Sequence, residues 1–401
     1  MQTIALYFLY LIIAGWLMRA VRLLTNYNRR LQLEPVLSAP TAYQNLPKIS
    51  ILVPARNEEK MIAKCLDSLI DQNYPNYQIV VSNDRSTDNT QSIIEKYVEQ
   101  YPNKVKLVNV PSLPENWAGK NHALHYAVQN IETDWFLFTD ADTCHKPGCL
   151  MSAFNYATKN GLDMLTLSPQ FINVTLFEKM VQPVAGAVLG LWFPWRKIND
   201  PNSTEYFANG QFIFIRKKTY DAVGGHKAVQ NQLLEDMAIA QKVKARGFKS
   251  GIAAGQKIFG VRMYDSVHRF WNGWIRIYTE IVHRNVLSLL LMCLTAFLFS
   301  ILPFIIFAYV AALLILGVVV DPTLLWTAVI TCGVLLAINA KVYHLCASNP
   351  LYVILHPVNV LVICSILVDG MRHVLIGKQT VWREVKYTHS REDSSKIINV
   401  K

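Results

Sequence analysis

The stretch "WFLFTDADT" (residues 135–143) runs four apolar residues into a pair of aspartates spaced one apart. Its apolar half reads as a strand covered on both faces, because a short run without polar alternation suits a sheet buried between helices. Its acidic half then falls at the strand's carboxyl end, where Asp140 and Asp142 repel each other unless something positive offsets them. Three other segments have the same form: "KISILVPA" (48–55), "YQIVVSND" (77–84) and "VKLVNV" (105–110). Between them, 57–72, 87–101 and 118–130 carry helical periodicity, and Ser86-Thr87-Asp88 suits a helix start. Strand and helix alternate, so residues 45–285 are expected to form an α/β domain on a mainly parallel sheet. Ligands of such sheets bind beyond the carboxyl ends of the strands. The polar clusters fall at those ends, with Asp84 closing the second strand and Asp140 and Asp142 the fourth.

Outside this domain the chain is apolar. With 401 residues, 52% hydrophobic and 17% charged, and a mean hydropathy of +0.21, it has material for a large core and for membrane spans. "IALYFLYLIIAGWLM" (4–18), extended to Leu24, is long enough to cross a hydrocarbon layer of about 30 Å. It lacks a basic n-region and a small-residue cleavage site, so a retained anchor over 1–24 is expected rather than a signal peptide. Arg19, Arg22, Arg29 and Arg30 follow, which places the next segment in the cytoplasm. Residues 286–320 would make one helix of roughly 52 Å, and Pro303 lies near its middle, so two short spans meeting there are expected. Further spans follow at 323–341 and 351–369. The tail 371–401 carries Arg372, Lys378, Arg383 and Lys386 and belongs with the cytoplasmic side. A domain and a tail on one side require an even number of trailing spans, hence four over 286–370 in a multi-pass integral membrane protein.

The net charge of +11 comes from basic residues that flank apolar spans rather than form runs, which fits anionic headgroups and not nucleic acid. The seven cysteines are scattered without a Cys-x-x-Cys pair and read as reduced structural thiols. Cys144, His145 and Cys149 lie close together, but a zinc site would need a second ligand pair.

An isolated Asp-x-Asp is most simply a solvated loop, yet two carboxylates at a strand end also suit a hard divalent cation that neutralises a diphosphate. Four further motifs favour the second reading. "VPARNEE" (53–59) follows the first strand, and "SNDRSTD" (82–88) follows the second, where a strand-end acid can reach a base or ribose. "LPENWAGKNHAL" (113–124) delivers Lys120 to the mouth of the sheet, suited to a phosphate. "LLEDMAIA" (233–240) opens an apolar helical stretch with an acid pair, which can supply a general base or simply favour a helix N-terminus.

Together these motifs resemble the inverting family 2 glycosyltransferases of GT-A fold. With "NWAGK", one leading span and several trailing ones, the chain looks like their membrane-bound lipid group, the ceramide glucosyltransferase, hopanoid-associated and carotenoid glycosyltransferases. The resemblance implies a nucleotide-sugar donor, with a UDP-sugar expected, and a membrane lipid hydroxyl as acceptor. Pro54, Ala55, Arg56 and Glu58 would border the nucleotide base, with Asp84 beside the nucleoside. Lys120 would contact the diphosphate, Asp140 and Asp142 would bind the Mg2+ or Mn2+ that bridges it, and Asp236 would be the general base. Asn83 and Arg85 depart from the Asp and Gly of the commoner form. The Gln-x-x-Arg-Trp motif of processive synthases is absent, and "FWNGWIR" (270–276) stands in its region, with Trp274 matching the family tryptophan but Gly273 in place of its arginine.

Acceptor contacts are expected from Trp274 and from "ANGQF" (208–212), with Gly210 and Gln211; "GGH" (224–226) reads as part of the same loop region. "VLGLWFPWRK" (188–197) and "HRFWNGWIRIYTEIVHR" (268–284) read as interfacial helices, the second with Phe270 or Trp271, Trp274, Tyr278 and Ile281 on one face. The alternatives are a polysaccharide synthase, a polyprenyl-phosphate sugar synthase and, in another class, a non-enzymatic membrane protein. The last should carry buried charges in its spans, which these mostly lack.

Overall fold

The computed structural model describes residues 2–26, 31–37, 46–264, 266–346, 348–378, 380–382 and 385–387. Arg29, Arg30, Arg383 and the tail from 388 lie outside these residues, as do the side chains of Arg22 and Lys386.

Ten strands build the domain: β1 (Ile49–Ala55), β2 (Tyr77–Asn83), β3 (Val105–Asn109), β4 (Trp135–Phe138), β5 (Thr143–His145), β6 (Met164–Ser168), β7 (Gln170–Phe171), β8 (Ile213–Arg216), β9 (Ser250–Ala254) and β10 (Phe259–Val261). Seven form one sheet in the order β3-β2-β1-β4-β8-β6-β9. Only β8 runs antiparallel to its neighbours in that sheet, and the remaining pairs are parallel. β5, β10 and β7 make a small second sheet. The mainly parallel α/β class expected from the alternating segments is what forms.

The helices are α1 (Gln2–Asn26), α2 (Ile62–Ile70), α3 (Thr90–Gln100), α4 (Gly119–Ala127), α5 (Cys149–Lys159), α6 (Leu176–Trp192), α7 (Trp195–Ile198), α8 (Lys217–Ala222), α9 (Glu235–Ala245), α10 (Val267–Ile281), α11 (Val286–Ser300), α12 (Leu302–Ile315), α13 (Pro322–Leu345) and α14 (His356–Leu375). Strand side chains alternate between the two faces of the sheet. Ile51, Val53, Ile79 and Leu137 pack with Leu66 of α2 and Phe154 of α5. Leu52, Val80, Phe136 and Phe138 pack with Leu124 of α4 and Ile239 and Val243 of α9.

Two segments depart from the expected bounds for local reasons. β4 stops at Phe138, because Thr139 makes the last rung to the Leu52 carbonyl and residues 140–142 turn away. The helix expected from 57 begins at Ile62, because the amides of Asn57, Glu58 and Glu59 donate instead to Ser86, Thr90 and Asp88.

Among the described residues, four helical segments are long and apolar enough to cross a membrane: Gln2–Val21, Val286–Ile315, Pro322–Leu345 and Pro350–Leu375. Three therefore trail the domain, rather than the four expected. The supposed two spans meeting near Pro303 are α11 and α12, of 15 and 14 residues. At about 22 and 21 Å, each falls short of the hydrocarbon thickness, and together they form one segment bent at Ile301. Pro303 has no N–H to give the Phe299 carbonyl one turn back, and that carbonyl accepts the Trp16 indole N–H of α1 at 2.8 Å. Gly15 leaves room for this contact, since a Cβ there would lie 2.5 Å from the Phe299 ring.

The apolar face of α10 is covered by protein rather than lipid. Phe270, Trp274, Ile275 and Tyr278 join Val181, Val184, Leu289, Ile363 and Leu367 in one buried cluster shared by α6, α10, α11 and α14. The other aromatic segment is interrupted at Pro194, between α6 and α7.

Candidate active site

One cavity opens at the carboxyl ends of β1, β2 and β4. It is lined by Pro54, Ala55, Arg56, Asp84, Lys120, Asp140, Gly210, Gln211 and Asp236, together with Asn209, Glu235, Met263, Arg276 and Ile277. The parallel strands β1, β2 and β4 deliver Pro54, Ala55, Arg56, Asp84 and Asp140 at one edge of the sheet, while Lys120 comes from α4, Asp236 from α9 and Gly210 and Gln211 from the loop before β8.

On the β1–β2 side, the buried Asp84 carboxylate lies between two guanidinium groups. Arg85 donates to Asp84 Oδ1 at 2.8 Å, and Arg56 Nη1 stands 3.8 Å from Oδ2. Arg85 reaches this position with a φ of +56°. Asn83 takes no part in the cavity: its amide donates to Gln91 and Asn109, stitching β2 to α3 and β3. Glu58 lies outside the cavity lining, its amide tied to Thr90.

On the opposite side, the "NWAGK" loop is held against the chain that precedes α9. Ala118 N donates to the Gln230 carbonyl, and the Asn121 amide donates to the carbonyls of Val229 and Gln232. This clamp places Lys120 Nζ 2.7 Å from both Asp140 Oδ1 and Glu235 Oε1. Burial alone would disfavour the lysine's charge, but the Asp140 and Glu235 carboxylates outweigh it and raise its pKa above the usual lysine range.

Asp236 stands next to this bridge. Its carboxylate accepts the Gly210 amide at 2.7 Å and its neighbour Met237's amide at 2.8 Å. Burial, and then the like charge of Glu235, push its carboxyl up to about 7, against the lowering by Lys120 and the two amides. Gly210 must lack a side chain here: a Cβ would meet Lys120 Nζ at 3.0 Å and the Asp236 and Glu235 oxygens at 3.2 Å.

Beneath the aspartate pair, His145 is committed to structure. Its Nε2 lies 3.0 and 3.1 Å from the hydroxyls of Thr139 and Thr143. Thr143 in turn holds the Asp140 carbonyl at 2.7 Å, and Thr139 the Gln211 carbonyl at 2.8 Å. Burial drops the His145 pKa to about 3, so the ring is neutral at physiological pH. Cys149 contacts its other nitrogen at 3.7 Å, and all seven cysteines are free.

Two expected acceptor elements lie elsewhere. Trp274 is 1% exposed, its ring 5.1 Å from Tyr278 and its indole N–H on Gln182. It is a core residue, and Arg276 and Ile277 are what α10 contributes to the cavity. In "GGH", His226 is buried against Phe138 and bonded to Tyr220, away from the cavity lining. Glu235, Asn209, Arg276 and Ile277 were present in segments singled out from the sequence, whereas Met263 had no local signal.

Asp140 and Asp142 bring hard oxygen ligands to one strand end, the donor type a divalent cation prefers. Among the described residues no group of three His, Cys, Asp or Glu side chains is placed to hold a metal alone. A cation here would share its coordination with water and a bound diphosphate.

A strand-end cavity of this kind, on a mainly parallel sheet of this order, belongs to an α/β domain of GT-A type. Residues 50–224 match the model of glycosyl transferase family 2, and the chain carries a family 2 glycosyltransferase domain. Over 253 residues it is 27% identical to the 4,4'-diaponeurosporenoate glycosyltransferase of Staphylococcus aureus strain USA300, covering 62% of this chain and 64% of the relative. The match thus spans less than two thirds of that protein's length. Among solved structures, a mannosyltransferase from Pyrobaculum calidifontis in complex with GDP-Man and Mn2+ aligns over 94% of this chain and 100% of its own, at 16% identity and a TM-score of 0.48. S. aureus TarS in complex with UDP-GlcNAc aligns over 82% and 90%, at 17% identity and a TM-score of 0.40.

Proposed function

We propose that this protein transfers a single sugar from a nucleotide-sugar donor, a UDP-sugar by preference, to the hydroxyl of a membrane lipid, with inversion at the anomeric carbon and with the catalytic domain in the cytoplasm. The observation that carries the reading is the Lys120 bridge, which joins the metal-type aspartate Asp140 to the acid pair Glu235–Asp236 across one cavity. The two halves of a displacement, leaving group and nucleophile, thereby have their groups on opposite walls.

Asp84, with Arg56 and Arg85 beside it, suits the nucleoside. Asp140 and Asp142 would hold Mg2+ or Mn2+, which when bound supplies positive charge to the departing diphosphate. Lys120 adds its own charge there and, without donor, keeps the acids from repelling one another. Asp236, fixed by two amides, takes the acceptor hydroxyl's proton as the oxygen attacks, and its raised pKa suits a base working near neutral pH. One displacement inverts the centre, and no covalent enzyme intermediate is needed. A carotenoid-like acceptor agrees with the staphylococcal relative, and the apolar residues Met263 and Ile277 at the cavity wall suit that lipid or a sphingolipid-like or hopanoid-like one.

The test is to incubate membranes containing the protein with a panel of UDP- and GDP-sugars and to analyse extracted lipids by mass spectrometry. A lipid carrying one added hexose is expected. A ladder of two or more sugars would replace this reading with a polysaccharide synthase, and a sugar found only on polyprenyl phosphate would replace it with that synthase class.

A further inference from the structure

We infer that α11 and α14 do not cross the membrane but lie in the plane of the leaflet beneath the catalytic domain, their outward faces in its acyl region, so that α1, α13 and α12 together with residues 316–320 that continue it make the crossing. Hydropathy cannot distinguish the two arrangements, because the segments that contain these helices, Val286–Ile315 and Pro350–Leu375, are long and apolar enough to span. The ends of each helix can.

The segment around α14 touches the catalytic domain at both ends. Before it, Tyr343 donates to the Met180 carbonyl of α6 and Asn173 bonds Ser348, and Asn359 in its first turns donates to Tyr343. At its other end, Trp271 donates to Asp369, Gly370 lies against Thr279, and Arg284 donates to the Lys378 carbonyl at 3.1 Å. A helix of 20 residues spans about 30 Å, so a crossing would carry one end that far from the domain. Instead its buried residues Val360, Ile363 and Leu367 share one core with Val184 of α6 and Trp274 of α10.

α11 runs back along the same helix. Cys293 and Cys364 contact each other's carbonyls midway. Its start adjoins Arg284 and hence Lys378, and its end places the Phe299 carbonyl on Trp16. Trp16 lies 14 residues from Gln2, about 21 Å along α1, and Arg19 covers its ring at 4.5 Å. Arg19 is the first basic residue of α1, where its apolar run ends, and basic residues at the end of a span sit at the headgroup level. Both ends of the α11–α14 pair thus sit at basic groups of the domain side, Arg19 at one and Arg284 and Lys378 at the other.

The bundle beyond packs in two further clusters. Leu9, Val310, Leu324 and Ala328 form one cluster and Ile12, Trp16 and Leu335 another, drawn from α1, α12 and α13. Gln2 meets Asp321 at its far end. α1 and α13 therefore run parallel and α12 antiparallel to both, giving three crossings.

What covers the pair's outer face follows from its residues. Leu287, Leu290, Leu291 and Leu294 on α11, and Val358, Leu361, Val368 and Leu375 on α14, are 41–72% exposed. These stripes, flanked by basic ends, fit acyl chains below anionic headgroups. The inference rests on the chain being membrane-bound and not on sugar transfer.

Depth measurement tests it. Single spin labels at Leu287, Leu290, Leu294, Val358, Leu361 and Val368, with Val329 and Ile330 of α13 as references, would be read in vesicles of phosphatidylglycerol and phosphatidylethanolamine by the ratio of oxygen to nickel-chelate accessibility. A flat, shallow profile along α11 and α14 with deep references is expected. A profile that descends and rises across α14 as it does across α13 would overturn the inference. Because the label background requires replacing seven cysteines, a second readout uses otherwise native protein: impermeant labelling of tags inserted at 347–349 and after Lys378. Tags on one side support the in-plane helix, and tags on opposite sides overturn it.

Discussion

Asp236 carries the sharpest prediction at the scale of single residues. Asp236→Asn should lower turnover by about 10²–10⁴-fold while leaving nucleotide affinity within a few fold, because a general base touches the acceptor and not the donor. Isothermal titration with UDP beside steady-state assays separates the two quantities. The proton-accepting form is the ionised one, and burial with Glu235 raises its pKa to about 7. Activity should therefore be full above that pH and fall about tenfold per unit below it. Removing the like charge in Glu235→Gln should move this acid limb to lower pH; an unmoved limb would assign it to another group. The cation gives a second test: a chelator should abolish transfer, Mn2+ or Mg2+ should restore it, and Asp142→Ala should not be restored. Full turnover in excess chelator would remove the metal role. At this scale the sequence was informative where a residue ends a strand. It named Asp84, Lys120, Asp140 and Asp236 but could not show that Lys120 bridges two acids, since that contact joins positions 115 residues apart in the chain.

Among the elements, α10 shows why periodicity is ambiguous. The spacing of Phe270, Trp274 and Tyr278 defines an apolar face, but an apolar face is equally satisfied by lipid, a bound acceptor or other helices. Here α6 and α14 cover it. Trp274→Ala should then cost about 3–5 kcal/mol of stability and lower lipid transfer and donor hydrolysis together, with both rates preserved per mole of folded enzyme. A selective loss of lipid transfer would return Trp274 to the acceptor site. The α11–α12 bend is a further case. Pro303 announced a break, but only the fold showed that the freed Phe299 carbonyl is taken by Trp16. Trp16→Phe keeps an aromatic ring but removes the N–H and the second ring of the indole, so the loss should be about 1–3 kcal/mol for the stranded carbonyl plus the cost of the cavity left behind, read as a lower melting temperature in nanodiscs.

For the whole molecule, topology follows from one contact rather than from counting. Arg284, just before α11, donates to the carbonyl of Lys378, just after α14, so the chain enters and leaves its trailing apolar block at one place. Reporter fusions at Asn285 and at the C-terminus should therefore report the same side, and the arginines after α1 make that side the cytoplasm. Fusions reporting opposite sides would overturn both the orientation and the adjacency. On the in-plane arrangement inferred above, α12 and α13 alone supply the even number of crossings that a cytoplasmic domain and tail would require.

What the sequence by itself determined is whatever depends on neighbours in the chain. Runs of buried strand residues, helix periodicity between them and polar clusters at the strand ends specify a parallel sheet with its cavity at one edge, because each pattern is a local consequence of backbone geometry. Tertiary structure alone decided which apolar faces meet protein and where Trp274 goes. Burial has the same transfer free energy whether the covering surface is a side chain or an acyl tail; only the contacts between distant segments choose between them.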